Sequence, residues 1–64
     1  MPIITVDMFK GRSDAQKSEI VRELTDAFVR TGGGSAEAVH VILRDVEKSN
    51  WGSGGIMCSE KFPD

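Results

Sequence analysis

The spacing of apolar residues changes midway through the stretch PIITVDMFKGRSDAQKSEIVRELTDAF, residues 2–28. Apolar and polar side chains alternate from Pro2 to Phe9, which predicts a strand with one face made of Ile4, Val6 and Met8. After a turn at Lys10–Arg12, apolar residues recur with helical spacing from Asp14 to about Thr31. The predicted buried stripe of this helix contains Ile20, Leu24, Ala27 and Phe28.

Both ends of the predicted helix carry recognisable signals. Ser13 has the character of an N-cap, and Gln16 stands three residues later, which is the spacing of a capping box. At the other end, Gly32–Gly34 predicts helix termination, because glycine readily adopts the left-handed conformation found there. Ser35 is then predicted to cap a single helical turn that reaches Ala38.

The rest of the chain predicts a second strand and a short hairpin. Apolar residues alternate again over Val39–Asp45, with His40, Ile42 and Arg44 on the opposite face. Trp51–Gly55 is predicted to be a flexible loop, and Ile56–Met57 a short hairpin strand. The last residues, Ser59–Asp64, are polar and predicted to be loosely held.

These elements predict an α+β fold: a β-α-β unit with parallel strands and a short C-terminal hairpin. The helix covers one face of the sheet, so the other face and both edges stay uncovered. A two-stranded sheet is too small to be stable alone, and parallel sheets are rarely left open in this way. We therefore expect the fold to be completed by oligomerisation.

Composition narrows the classes of protein that need considering. The 64 residues form a single predicted domain, 1–64, and Cys58 is the only cysteine, so no intramolecular disulfide can form. One histidine and one cysteine do not suggest a metal site. The net charge of −2 argues against nucleic acid, and the apolar runs are too short for a membrane span. With no secretory signal, the predicted location is cytoplasmic.

The Met1-Pro2 start is the strongest functional signal. Initiator methionine is normally removed before a small residue, and its removal would leave Pro2 with a free secondary amine. Such an amine can act as a general base if the fold brings its pKa near ambient pH. The structural alternative is that Pro2 only begins a strand, where proline is tolerated.

Taken together, several segments resemble the 4-oxalocrotonate tautomerase family of the tautomerase superfamily, over nearly the whole chain except its tail. The matching segments are Met-Pro-Ile at the start, Gly11-Arg12-Ser13-Asp14 followed by Gln16-Lys17, Val39-His40-Val41-Ile42, and Trp51-Gly52-Ser53-Gly54-Gly55. The resemblance implies a homo-oligomer, usually a hexamer, whose sites combine residues of neighbouring subunits. It implies Pro2 as the general base, Arg12 as the cation that binds a substrate carboxylate, and Trp51 as the aromatic that makes the site apolar.

His40 departs from the family pattern, which has a second arginine at that position. Imidazole can donate a hydrogen bond, or bind an anion when protonated, but it lacks the fixed, always charged fork of a guanidinium. This departure puts the dicarboxylate substrate of the parent enzyme in question, whereas proton transfer by Pro2 carries over. Arg44 lies on the same strand face, four residues along, too far to replace the missing cation simply.

Each candidate residue also has a purely structural interpretation. Arg12 would be a solvated arginine in a turn, His40 a polar strand residue at a subunit interface, and Trp51 a packing residue of the hairpin. Cys58 as a nucleophile paired with His40 is weighed against an inert thiol, which we favour.

The sequence thus predicts a cofactor-independent tautomerase acting on a small acidic substrate, a 2-hydroxydienoate or an enol or keto 2-oxo acid. Pro2 is the predicted catalytic base, and Arg12, His40 and Trp51 bind the substrate. One alternative keeps the same site but hydrates or dehalogenates an unsaturated acid. The other is a non-catalytic oligomeric binding module.

Overall fold

The computed structural model describes residues 2–63. Its regular elements are two longer strands, two two-residue strands and two helices, in the following chain order. They are β1 (Ile3–Phe9), α1 (Asp14–Gly32), β2 (His40–Val46), β3 (Gly52–Ser53), β4 (Ile56–Met57) and α2 (Cys58–Lys61). Two 3₁₀ turns, Ala36–Ala38 and Lys48–Asn50, precede β2 and β3.

The strands form two separate pairs. β1 pairs with β2 in parallel, in a register that runs from Ile3 opposite His40 to Phe9 opposite Val46. β3 pairs with β4 antiparallel, with Gly52 opposite Met57. This topology confirms the predicted fold class, a β-α-β unit with parallel strands followed by a short hairpin.

The ends of α1 form as the sequence predicts. The Gln16 backbone N–H donates to Ser13 Oγ at 3.1 Å, and the Gln16 side chain accepts from the Ser13 N–H at 2.9 Å. Both bonds of the capping box are therefore present. At the C-terminal end Gly33 has φ 80°, and its N–H donates to Val29 O at 3.1 Å. The glycine run ends the helix because this backbone conformation suits a residue without a Cβ.

One boundary and one helix cap near the middle of the chain differ from the prediction. The second strand begins at His40 and not at Val39, because the Val39 N–H closes the preceding 3₁₀ turn on Ala36 O at 3.1 Å. Ser35 precedes that turn, but its side chain makes no capping hydrogen bond. The predicted helical turn is present, whereas the predicted cap is not.

The C-terminal region is more ordered than predicted. The expected loop Trp51–Gly55 contains β3, and the segment expected to be loosely held contains most of α2. The Phe62 N–H donates to Cys58 O at 2.8 Å, and the Phe62 ring lies 6.2 Å from the Phe9 ring. Asp64, the end of that predicted segment, lies outside the described residues.

Burial alternates along β1 and β2. Ile4, Val6 and Met8 are half-buried or buried, whereas Ile3 on the opposite face is 60% exposed and Ile42 is 44% exposed. We call this second face, which carries Ile3, Thr5, Asp7, His40, Ile42 and Arg44, the open face. Within residues 2–63, Met8 and Cys58 are the only hydrophobic residues that are buried, and of the two only Cys58 is fully buried.

The shape of the chain agrees with this small core. Its accessible surface is 4665 Å², against about 4,000 Å² for a globular monomer of its mass. Its radius of gyration is 14.7 Å, against about 11 Å for a compact chain of this length. With extents of 42 × 24 × 14 Å, the molecule is a flat layer. A single chain therefore leaves much of its apolar surface in water.

One ion pair joins α1 to β2. Lys17 Nζ lies 3.0 Å from Asp45 Oδ2 and 3.8 Å from Asp14 Oδ1. The hydrogen bond and then the charge of Asp45 raise the pKa of Lys17 above 10.5. Because the folded-state pKa is raised, the pair stabilises the fold fully below the unfolded pKa, and this stabilisation is lost as pH rises through the folded pKa.

We therefore expect Lys17→Met to lower the Tm by a few degrees at about pH 8, with the difference from wild type closing as the pH rises through the raised pKa of Lys17. Thermal unfolding followed by circular dichroism at several pH values measures this. Lys17→Arg should have the Tm of wild type at about pH 8 and keep the stabilisation at higher pH, because a guanidinium stays protonated. A Tm difference that stays constant over the whole pH range would contradict the role of this pair.

Candidate functional site

Pro2 lies at the beginning of the parallel sheet, next to His40. The His40 backbone N–H donates to Pro2 O at 3.0 Å, and Ile3 pairs with His40 in the strand register. Pro2 is half-buried and His40 is exposed. Parallel strands begin at the same edge of a sheet, so the fold brings these two predicted site residues together.

Arg12 lies beyond the opposite end of β1. Gly11, with φ 137°, turns the chain out of the strand, and a residue with a Cβ would be strained there. Arg12 Nη1 donates to Phe9 O at 3.1 Å. A guanidinium has several N–H donors, so this bond orients the side chain and leaves donors with which it can bind a carboxylate.

Trp51 is held near the same end of the sheet from two sides. The Trp51 and Phe9 rings meet edge-on, with centroids 4.6 Å apart and an interplanar angle of 64°. The Trp51 carbonyl accepts the Cys58 N–H at 2.7 Å, and Cys58 is only 1% exposed. The buried start of α2 thus fixes the Trp51 backbone, and Phe9 fixes its ring.

The four predicted site residues therefore form two half-sites. Pro2 and His40 are at one end of the sheet, and Arg12 and Trp51 are grouped around Phe9 at the other. The seven residues of β1 separate the half-sites, which corresponds to roughly 20 Å at about 3.3 Å per residue. One chain joins Pro2 to His40 through a backbone hydrogen bond and attaches both Arg12 and Trp51 to Phe9, but it does not bring the half-sites to each other.

Phe9 is a residue that the sequence analysis missed. Its carbonyl accepts the Arg12 hydrogen bond, and its ring contacts Trp51. In the sequence it is only the last residue of a strand, directly before a turn. That position places it near Arg12, but no local pattern pairs it with Trp51 much later in the chain.

A cleft of about 230 Å³ lies in the same region as the Arg12–Trp51 half-site but contains none of the four predicted residues. Its lining residues are Lys10, Glu47, Lys48, Ser49, Ser59, Phe62 and Pro63. Lys10 Nζ pairs with Glu47 Oε1 at 3.1 Å, and Lys48 Nζ donates to Phe62 O at 2.7 Å. The cleft thus lies between the polar turn after β2 and the C-terminal segment.

The alternative pairing of Cys58 with His40 does not form within one chain. Cys58 is buried beside Trp51, whereas His40 begins β2 at the other end of the sheet. Arg44 Nη1 lies 3.8 Å from Asp7 Oδ1 across the open face. Asp7 therefore offsets the charge of Arg44 locally, and Arg44 remains separated from His40 along the strand.

The pKa shifts that the structure shows concern side chains of α1. The hydrogen bond and charge of Arg22 hold the pKa of Glu19 below its usual value, and Glu19 in turn raises the pKa of Arg22. Within residues 2–63, no three His, Cys, Asp or Glu side chains group as metal ligands would. In that same range, no helix combines the length and apolar character needed to span a membrane.

Comparison with known proteins extends over almost the whole chain. The profile of the tautomerase enzyme family matches residues 2–61. A protein of Staphylococcus haemolyticus named "probable tautomerase" is 42% identical over 60 residues, which cover 94% of this chain and 97% of the relative.

Solved structures show the same fold. TomN, a 4-oxalocrotonate tautomerase homologue in the tomaymycin biosynthetic pathway, superposes with a TM-score of 0.92 at 32% identity, covering 98% of this chain and 97% of TomN. The heterohexameric 4-oxalocrotonate tautomerase of Chloroflexus aurantiacus superposes with a TM-score of 0.88 at 32% identity, covering 94% and 97%. This chain belongs to the tautomerase family and has the fold of the 4-oxalocrotonate tautomerase homologues.

Proposed function

We propose that this protein is a cofactor-independent tautomerase that moves a proton within a 2-hydroxydienoate or an enol or keto 2-oxo acid. In this proposal Met1 is removed and the Pro2 nitrogen is the general base. Arg12 binds the substrate carboxylate, His40 donates a hydrogen bond to the enol oxygen, and Trp51 excludes water. Membership of the tautomerase family supports the reaction class, and relatives named for 4-oxalocrotonate tautomerase support an acidic substrate.

The position of Pro2 is the observation that carries the proposal. Its carbonyl oxygen accepts a hydrogen bond from the His40 backbone N–H at 3.0 Å, so the nitrogen of the same residue has a defined place at the sheet edge. A general base must be held within reach of the proton that it removes. Because this hydrogen bond uses the carbonyl oxygen of Pro2, the Pro2 nitrogen remains available for proton transfer once Met1 is removed.

The proposed reaction balances without any other reactant. In the ketonisation of an enol acid, the neutral Pro2 amine removes the proton of the 2-hydroxyl group, which leaves an enolate and an ammonium group. A hydrogen bond from the His40 imidazole stabilises the negative oxygen. The ammonium then returns the same proton to another position of the conjugated system, and the amine is regenerated.

The two half-sites require a second copy of the chain. In a two-fold pair of sheets with antiparallel strands, the Phe9 end of one sheet lies next to the Pro2 end of the other. Arg12 and Trp51 of one copy would then face Pro2 and His40 of its neighbour. The exposure of Ile3 and Ile42 supports such packing, and we propose a homo-oligomer, specifically a hexamer.

Arg12→Ala tests the proposal together with a wild-type assay. We expect the wild type to ketonise phenylenolpyruvate or 2-hydroxymuconate, followed by ultraviolet absorbance. Arg12→Ala should raise KM by about ten- to a hundred-fold, because a charge-assisted hydrogen bond to the substrate carboxylate is lost. Its kcat should fall much less, since the base is untouched.

Arg30→Ala is the matched control, because Arg30 is an exposed arginine in the last turn of α1. It should leave both kinetic constants near wild type. Turnover at the uncatalysed rate, by protein whose mass shows a free Pro2 amine, would contradict the proposal and favour a binding module. An unchanged KM in Arg12→Ala would remove Arg12 from the site.

A further inference from the structure

The Phe9 ring is the centre of an aromatic cluster at the end of the sheet. Trp51 meets it edge-on at 4.6 Å, and Phe62 lies tilted at 6.2 Å. Lys48 Nζ is 5.8 Å from the Phe9 ring centroid and also donates to Phe62 O at 2.7 Å. The ring is therefore contacted by the turn after β2, by the loop before β3 and by the C-terminal segment.

The backbone of the same residue holds a different group. Phe9 O accepts the hydrogen bond from Arg12 Nη1 at 3.1 Å. This carbonyl belongs to the last residue of β1, so its position is fixed by the parallel sheet. Arg12 and Trp51 come from distant segments, and both are thus in contact with the same strand residue.

We propose that Phe9 is a positioning residue that sets the place of Trp51 relative to Arg12, and thereby the size of the apolar group accepted beside the carboxylate. This inference rests on the proposed function, in which Arg12 and Trp51 face the substrate. Arg12 fixes the carboxylate end of the substrate. The Trp51 ring, held by Phe9, then forms a wall against the remainder of the molecule.

Phe9→Leu separates the two roles of this residue. The substitution keeps the carbonyl that binds Arg12 and removes the ring that contacts Trp51. An edge-on aromatic contact orients its partner, whereas a leucine side chain packs without that preference. The substitution should therefore affect substrates with a large planar group and spare those that offer little more than the carboxylate and the enol.

The first measurement uses the single tryptophan of the chain. Trp51 is the only tryptophan and there is no tyrosine, so indole fluorescence reports on this ring alone. We expect Phe9→Leu to increase acrylamide quenching of Trp51, and Phe9→Tyr, which retains a ring, to quench like wild type. Phe28→Leu, an equivalent loss of a half-buried ring on α1, should also quench like wild type.

The second measurement compares two substrates. For phenylenolpyruvate, Phe9→Leu should raise KM about five-fold, and for the smaller 2-hydroxy-2,4-pentadienoate KM should stay near wild type. The pH dependence of kcat should not move, because Pro2 is in the other half-site. An equal rise of KM for both substrates, or the same changes in Phe28→Leu, would overturn the proposal by showing a general loss of structure.

The two measurements distinguish failure of this inference from failure of the proposed function. Unchanged Trp51 quenching in Phe9→Leu, with normal turnover, overturns only the role of Phe9. No turnover by the wild type overturns the proposed function and the specificity argument with it. If Phe9→Leu does not assemble, Phe62→Leu removes the outer ring of the cluster and should raise quenching in the same direction. No change in that variant would count against the proposal.

Discussion

A chain that retains Met1 should show a kcat/KM about a thousand-fold below that of a chain that begins at Pro2, for ketonisation of an enol acid. In the first chain the Pro2 nitrogen is a tertiary amide and can neither accept nor release a proton. In the second it is a secondary amine. The chain has 64 residues with Met1 and one fewer without it, so both chains can be made by chemical synthesis and ligation, with no other difference between them.

The backbone contacts that hold Pro2 are the same in the two chains. The contact that holds Pro2 runs from the His40 N–H to the Pro2 carbonyl oxygen, which is the same group in both chains. The pairing of Ile3 with His40 likewise does not involve the Pro2 nitrogen. We therefore expect both chains to have the same circular dichroism spectrum and the same oligomeric mass, so that a difference in rate reports on the amine.

Pro2→Ala, with Met1 removed, supplies the intermediate case. It keeps a terminal amine but changes its basicity and geometry, so its kcat/KM should fall between those of the two synthetic chains. The ascending limb of its pH–rate profile should also move, because that limb reports the pKa of the base. Equal kcat/KM for the Met1 and Pro2 chains would show that the terminal amine is not the base.

The β-α-β unit could be predicted because its signals are local. Alternation in Ile3–Phe9, the Ser13–Gln16 capping box and the glycines after α1 each act over a few residues. Each matches the structure to within about one residue. β2 starts one position later than predicted because the Val39 N–H forms a hydrogen bond within the preceding 3₁₀ turn.

The C-terminal region was harder to predict because its order depends on contacts with distant residues. Gly52–Ser53 has no strand propensity, and it becomes a strand by pairing with Ile56–Met57. The polar segment after Cys58 is held by the Phe62 ring near Phe9 and by the Lys48 bond to the Phe62 carbonyl. A sequence window around Phe62 contains neither partner.

In the candidate site, too, the contacts between distant residues are the part that the sequence does not predict. The Met1-Pro2 start indicates Pro2, and a resemblance between sequences indicates Arg12, His40 and Trp51. No local spacing indicates which of these residues meet. The strand register places Pro2 beside His40, and the Phe9 ring and carbonyl place Trp51 near Arg12. Whether the two half-sites join depends on a second chain, for which a single sequence carries only indirect signals such as the exposed Ile42.

Ile42→Asp should convert the proposed oligomer into single chains and reduce turnover to the uncatalysed rate. Ile42 is 44% exposed on the open face, in the middle of β2. Burying an isoleucine side chain contributes about 1.5–3 kcal/mol, and burying an unpaired carboxylate costs several kcal/mol. The change is repeated in every copy of a symmetric assembly, so its effect on association is multiplied.

Loss of assembly should remove activity even where a chain stays folded, because Pro2 and Arg12 lie at opposite ends of one sheet. Light scattering coupled to size-exclusion chromatography should give a mass near 7.0 kDa for Ile42→Asp and a multiple of that mass for wild type. The far-ultraviolet circular dichroism should also weaken, since two strands and one helix bury little within a single chain.

Two controls separate the interface from general effects of the substitution. Ile42→Val retains a β-branched apolar side chain and should remain assembled and active. Ser18→Asp adds the same charge at an exposed position of α1 and should leave mass and kcat/KM near wild type. A variant Ile42→Asp that runs as a 7.0 kDa species yet turns over enol acids at the wild-type rate would show that one chain contains a complete site. That result would contradict the half-site arrangement, in which Arg12 of a single chain cannot reach a substrate held at Pro2 of the same chain.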